Sequence, residues 1–124
     1  MITIIAEKPS VAQSIATVVG SQKKEDGFIS GNGYYVTWAF GHLIELAAPE
    51  KYGYPTKWEK SVLPIIPENF DICPIASKEE KSDKLYKKQL SVISSLFRKS
   101  EKIIVATDAG REGELIFRYI YIIT

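Results

Sequence analysis

The chain has 124 residues, 45% of them apolar and 25% charged, with a net charge of +1 and a single cysteine. That is enough for one compact domain with one core. It excludes an internal disulfide, and it excludes a globally basic chain that holds nucleic acid by net charge, so any basic surface must be local.

In chain order, ITIIA (residues 2–6) is short, continuous and β-branched, the pattern of a buried strand, with Glu7 at its C-terminal end. Pro9 suits a first helical turn, and Val11, Ile15, Val18 and Val19 recur at helical spacing up to a stop at Gly20. SQKKEDG reads as a polar loop. FIS and YYVTWAF flank GNG and predict a hairpin turning at Asn32-Gly33. HLIELAAPEKYGYP, broken by Pro49, Gly53 and Pro55, predicts a short helix or irregular chain, and FDICPI, with Cys73 as a small buried residue, a strand.

Residues 78–99 predict the longest helix. Leu85, Gln89, Val92, Ile93, Leu96 and Phe97 lie on one face, and Lys78, Lys81, Lys84, Lys87 and Lys88, interleaved with acids, form a solvated face. KIIVATD is then a strand and REGELIFRYIY a helix, which still runs at Ile120–Ile123 with no cap, as in a piece of a longer chain. The first residues, MITIIAEKPS, reach Glu7 before a signal-peptide core forms. IFRYIYIIT is interrupted by Arg118 and too short to span a bilayer. The expectation is a cytoplasmic protein with no membrane partner. The order of elements predicts an α/β sandwich: a central, mostly parallel β-sheet flanked by helices, in a single domain over residues 1–124. In such sheets ligands collect beyond the carboxyl ends of the strands. Glu7 and Asp108 both fall there, and they meet if their strands are neighbours.

ATDAGREGELI (residues 106–116) crowds three carboxylates, two glycines and an arginine onto a strand-to-helix junction. A purely structural account is available. Asp108 caps the helix, Glu112 complements its dipole, and Glu114 pairs with Arg118 four residues on. That account leaves out Glu7, and it leaves out glycines at a point of close backbone approach. A divalent cation accounts for both. Hard cations such as Mg²⁺ take carboxylate oxygens, keep waters and share a substrate phosphate. Asp108 and Glu112 sit one turn apart, Glu7 faces them from the other strand, and the implied chemistry is metal-assisted phosphoryl transfer.

Three tracts taken together, AEKPSVA, GHLIELAAPEKYG and ATDAGREGELI, resemble the N-terminal Toprim domain of type IA DNA topoisomerases, the topoisomerase III branch in particular. WEKSVLPIIPENF also resembles a segment of that family. The resemblance runs over nearly the whole chain in the family's order. It implies a Toprim-like fold and an isomerase that cleaves and religates single-stranded DNA by transesterification to a tyrosine, relaxing negatively supercoiled DNA or decatenating it. Glu7, Asp108 and Glu112 would hold Mg²⁺. Lys8 would lie near the scissile phosphate, Glu7, Lys8 and Arg111 would be the catalytic residues, and Lys8, Arg111 and His42 would contact DNA. The family's cluster usually has a second aspartate where this chain has Gly110, which removes one possible ligand. None of the seven tyrosines matches the nucleophile, so the chain would hold the metal and acid–base half of an active site, inactive alone, with the remaining domains of a parent chain as its partners. The alternatives are a stand-alone Toprim nuclease or primase-like protein, and a phosphotransfer receiver, which lacks support because no free aspartate ends a third strand. For His42, the only histidine, the rival reading is structural. Trp38, Tyr34 and Tyr35 read as core or sheet-face residues.

Overall fold

A computed structural model describes residues 1–76 and 79–124. Lys78, predicted to begin the long helix, lies outside the described residues. Five strands form one mixed sheet: β1 (Ile2–Ala6), β2 (Lys23–Glu25), β3 (Phe28–Gly31), β4 (Tyr34–Trp38) and β7 (Lys102–Ala106), in the order β2-β3-β4-β1-β7. A separate antiparallel pair joins β5 (Ile44–Leu46) to β6 (Ile72–Pro74). The helices are α1 (Pro9–Val19), α2 (Glu80–Lys99) and α3 (Arg111–Ile123).

The three middle-to-edge strands, β4-β1-β7, are parallel, and β2 and β3 add to them as an antiparallel extension. β1 is central and buried on both faces. Ile4 and Ala6 pack with Ala12 and Ala16 of α1, whereas Ile5 packs with Ile93 of α2 and Ile116, Phe117 and Ile120 of α3. This two-sided burial explains the uninterrupted β-branched run of the sequence. The hairpin turns at Asn32 and Gly33 with φ of 49° and 83°, the positive pair that a type I′ turn requires. Among the described residues no helix is long and apolar enough to cross a membrane.

Five expectations need correction. The tract HLIELAAPEKYGYP, expected as short helix or irregular chain, supplies β5, held by pairing with β6, before a 3₁₀ turn at Pro49–Tyr52. The polar loop after Gly20 contains β2, an edge strand whose lysines show no apolar alternation; charge on an edge also blocks unwanted strand pairing. The buried stripe of α1 is Ala12 and Ala16, flanked by Ile15 and Val19, while Val18 is 86% exposed. Small side chains let the helix axis approach the sheet, and Val11 and Val18, off that face, stay in water. On α2, Leu85 is exposed and Tyr86 packs inward instead. Cys73 lies in β6 but is only half-buried. The lysine face of α2 is solvated and paired, Lys84 with Glu80 and Lys87 with Asp83 at 2.6 Å, and Lys88 with Asp26.

Gln89 of α2 is the polar group that the core was built around. It is 3% exposed, and its Nε2 lies 3.0 Å from Gly27 O, 3.1 Å from Thr37 Oγ1 and 2.7 Å from Trp38 O, so two N–H bonds serve three acceptors. Thr37 in turn donates to Gly27 O at 2.8 Å. Gln89→Leu removes the donor, leaves the Trp38 carbonyl without it while Gly27 O keeps the Thr37 hydroxyl, and costs about 1–3 kcal/mol. Chemical denaturation should show that loss, with hydrogen exchange rising first at the Gly27 turn and the end of β4.

Candidate functional site

The chain leaves β1 toward β4 with α1 on one face of the sheet, and reaches β7, on the other side of β1, with α2 on the opposite face. The winding direction therefore reverses between β1 and β7, which is where open α/β sheets form a crevice at the carboxyl ends of their strands. The register pairs Ala6 with Ala106, so Glu7 and the Thr107-Asp108 segment leave the sheet side by side. The structure thus brings together the strand ends whose adjacency the sequence left open.

Both strands run straight into helices. Lys8 is the N-cap residue of α1 and Gly110 that of α3, and neither makes a side-chain cap hydrogen bond. Asp108 does not cap α3, so the structural account offered for it fails. Instead its carbonyl accepts Gly110 N–H at 2.9 Å, and Gly110 O accepts Glu114 N–H at 3.0 Å. Thr107 Oγ1 donates to Gly113 O at 2.9 Å, stapling the end of β7 to the first turn of α3. A Cβ on Gly113 would lie 1.9 Å from Asp108 O and 2.7 Å from Asp108 N and C. The close approach anticipated for both glycines holds at Gly113 and not at Gly110. Gly110 is extended, at φ −165° and ψ 178°, and a Cβ there meets nothing within 4 Å.

Backbone bonds draw the loop after β4 to the same edge: Ala39 N–H donates to Ala6 O at 2.9 Å and Gly41 N–H to Glu7 O at 3.1 Å. His42 follows at once, and its Nε2 lies 3.0 Å from Glu112 Oε2, with both side chains exposed. His42 and Glu112 lie in separate tracts of the sequence. Seventy residues divide them, and no local pattern signals the pair. Glu114 is engaged by Arg118, Nε to Oε1 at 2.6 Å, as its spacing predicted.

Glu7 is half-buried, and Asp108, Glu112, Lys8 and Arg111 are exposed. Among the described residues no three Asp, Glu, His or Cys side chains converge closely enough to cage a metal ion, and neither Lys8 nor Arg111 enters an ion pair. A cation on the first residue of a helix opposes the macrodipole, so Arg111 has no stabilising role there. Two helix N-termini with free N–H groups, two unpaired basic side chains and three hard carboxylates occupy one edge. Such an edge can receive a phosphate on its N–H groups and cations, and a hydrated divalent ion on its carboxylates.

A family model described as "Toprim domain" matches residues 3–123. The chain is 48% identical over 119 residues to "DNA topoisomerase 3" of Bacillus thuringiensis (strain Al Hakam) and 46% identical over 119 residues to that of Bacillus licheniformis. It is 41% identical over 120 residues to that of Shouchella clausii (strain KSM-K16). Each match covers 94% of this chain and 15% of the relative.

Proposed function

Since this chain belongs to the Toprim domain family, we propose that it is the metal-binding part of a type IA DNA topoisomerase. Such an enzyme acts in the cytoplasm, cleaving and religating single-stranded DNA to relax negatively supercoiled DNA or decatenate it. The observation that carries the reading is the adjacency of Glu7 and Asp108 at parallel strand ends, beside two helix N-termini that hold unpaired Lys8 and Arg111.

In this reading Lys8 and the first N–H groups of α1 hold the scissile phosphate, and Arg111 holds a neighbouring phosphate. A tyrosine from another part of the longer polypeptide attacks phosphorus, its phenolic proton leaving to solvent, and the P–O3′ bond breaks. The Glu7 carboxyl gives its proton to the departing 3′ oxygen and takes it back on religation. His42, hydrogen-bonded to Glu112, fixes that carboxylate and contacts DNA. The donor set of Asp108 and Glu112 fits a hard ion such as Mg²⁺, and Glu7 joins it once its proton has gone to the 3′ oxygen. When bound, that ion offsets the charge of the carboxylates and the phosphate.

With few protein ligands, Mg²⁺ binding to the 124-residue chain is expected to be weak and to tighten with a single-stranded oligonucleotide. Gly110 has open space and an ordinary extended backbone, so Gly110→Asp adds a fourth carboxylate without strain. Calorimetry should show Mg²⁺ bound about tenfold more tightly, about 1.4 kcal/mol, with Gly110→Ala unchanged. Equal affinity in all three proteins would remove Asp108 and its neighbours as the ion's site.

The test of function places this chain in a polypeptide of the relatives' length, grafted over the matching 119 residues of the Bacillus thuringiensis protein. The expected result is Mg²⁺-dependent relaxation with a covalent 5′-phosphotyrosyl adduct. The 124-residue chain alone forms none, because its residues bring no nucleophile to the phosphate. Metal-dependent DNA hydrolysis by the short chain, without an adduct, would instead select the nuclease reading.

A further inference from the structure

We propose that Asn32 is a site of spontaneous modification, its side-chain amide converting to aspartate or isoaspartate through a cyclic imide with Gly33. The fold gates this reaction through the same contact that closes α1. Asparagine is among the thermolabile residues, and glycine after it puts no side chain in the way of the attack. The Gly33 nitrogen attacks Asn32 Cγ and the Cγ–Nδ2 bond breaks. Ammonia leaves, carrying the proton given up by Gly33 N. Water, the only co-reactant, then adds to either carbonyl carbon of the ring, which opens to aspartate or to isoaspartate. Both residues are exposed at the hairpin tip, and a Cβ on Gly33 would meet nothing within 4 Å, so neither burial nor packing shields the turn.

What opposes the first step is a tether. Asn32 Nδ2 donates to Val19 O at 2.9 Å. That bond satisfies one of the carbonyls left open at the end of α1, and it keeps the carboxamide on the helix. Asn32 itself is held at a φ of 49°, and closing a five-membered imide needs a backbone rotation that a type I′ turn lacks. Ser21, 3% exposed, braces the same joint by donating from Oγ to Gly31 O at 2.9 Å. The product undoes the tether. A carboxylate has no N–H for Val19 O, and it brings negative charge to the end of α1 where the macrodipole is already negative. Isoaspartate also adds a carbon to the main chain beside the Gly31–Tyr34 pair. The reaction therefore records how often this joint opens, and it leaves α1 unlatched from the hairpin.

Incubation of the 124-residue chain at neutral pH, followed by peptide mass mapping and an isoaspartate assay, tests this. Asn69, the only other asparagine, precedes the bulky Phe70 and is the internal control. Asn32 should convert several-fold faster than Asn69 in denaturant, and several-fold more slowly in the folded chain than in denaturant. Ser21→Ala leaves Asn32 and Gly33 untouched and should move the folded rate toward the denatured one. Asn32→Asp, the product itself, should lower the midpoint of denaturant unfolding when measured on fresh protein. Conversion in denaturant no faster than at Asn69 would overturn the site. Equal rates at Asn32 in folded and denatured chain would overturn the gating, and an Asn32→Asp chain as stable as the parent would overturn the link to α1.

Discussion

Gly113→Ala is expected to destabilise the chain and to disable the candidate site at once. Alanine normally stabilises a helix relative to glycine, by about 1 kcal/mol. Here the added methyl would lie 1.9 Å from the Asp108 carbonyl oxygen, with Asp108 N and C at 2.7 Å. All three are backbone atoms, so no side-chain rotation relieves the clash. Either α3 moves away from β7 or the Asp108 turn swings outward, and the Thr107 bond to Gly113 O is lost in both cases. Overpacking of this kind costs about 1–3 kcal/mol, more than the propensity gain. Denaturant unfolding should show a lower midpoint with an unchanged slope, and Mg²⁺ binding should fall by more than the loss of folded protein accounts for. A variant as stable as the parent with unaltered Mg²⁺ affinity would mean that the packing does not position Asp108.

Glu7→Gln in the grafted full-length protein is expected to give the largest loss of activity with almost none of stability. The fold uses the Glu7 backbone, through its carbonyl to Gly41 N–H, and uses β1, but among the described residues no hydrogen bond or ion pair holds the carboxylate. Glutamine keeps the size and removes the transferable proton. Removing a positioned acid lowers rates by about 10²–10⁴-fold, whereas a substitution outside the core stays within about 0.5 kcal/mol of the parent. Rapid-quench cleavage and religation on a single-stranded oligonucleotide measure the first, and thermal unfolding the second. Cleavage within a few-fold of the parent would move the proton-transfer role away from Glu7. Lys8→Ala follows the same logic through the phosphate, with the loss concentrated in substrate affinity at low salt.

The parts of the fold that could be read ahead were those with a strong local signal. β1 shows as an unbroken apolar run because both its faces are covered. The hairpin shows in Asn32-Gly33 because only certain residues take positive φ, and α3 shows in its apolar spacing after a glycine. β2 could not be read, since Lys23, Lys24 and Glu25 have no periodicity and are held only by pairing with β3. The inner face of α1 was misread because hydrophobicity ranks valine above alanine, while close packing of a helix on a sheet ranks size first. The candidate site was legible to the same extent. Glu7, Asp108 and Glu112 stand out beside strand ends, and Lys8 and Arg111 come from the family resemblance. The His42–Glu112 contact and the three-acceptor role of Gln89 arise only when segments dozens of residues apart are folded together.

The sheet order has a mechanical consequence. Glu7 extends from β1, which is laddered to a neighbour on each side, whereas Asp108 extends from β7, which has a partner on one side only. Local opening free energies follow such differences, and a strand held along one edge releases its amides at a lower energy than one held along both. Among the described residues of the 124-residue chain the two carboxylates are therefore mounted unequally, one on a fixed jaw and one on a compliant jaw. In that chain, amide exchange is accordingly expected to be faster along β7 and the first turn of α3 than along β1.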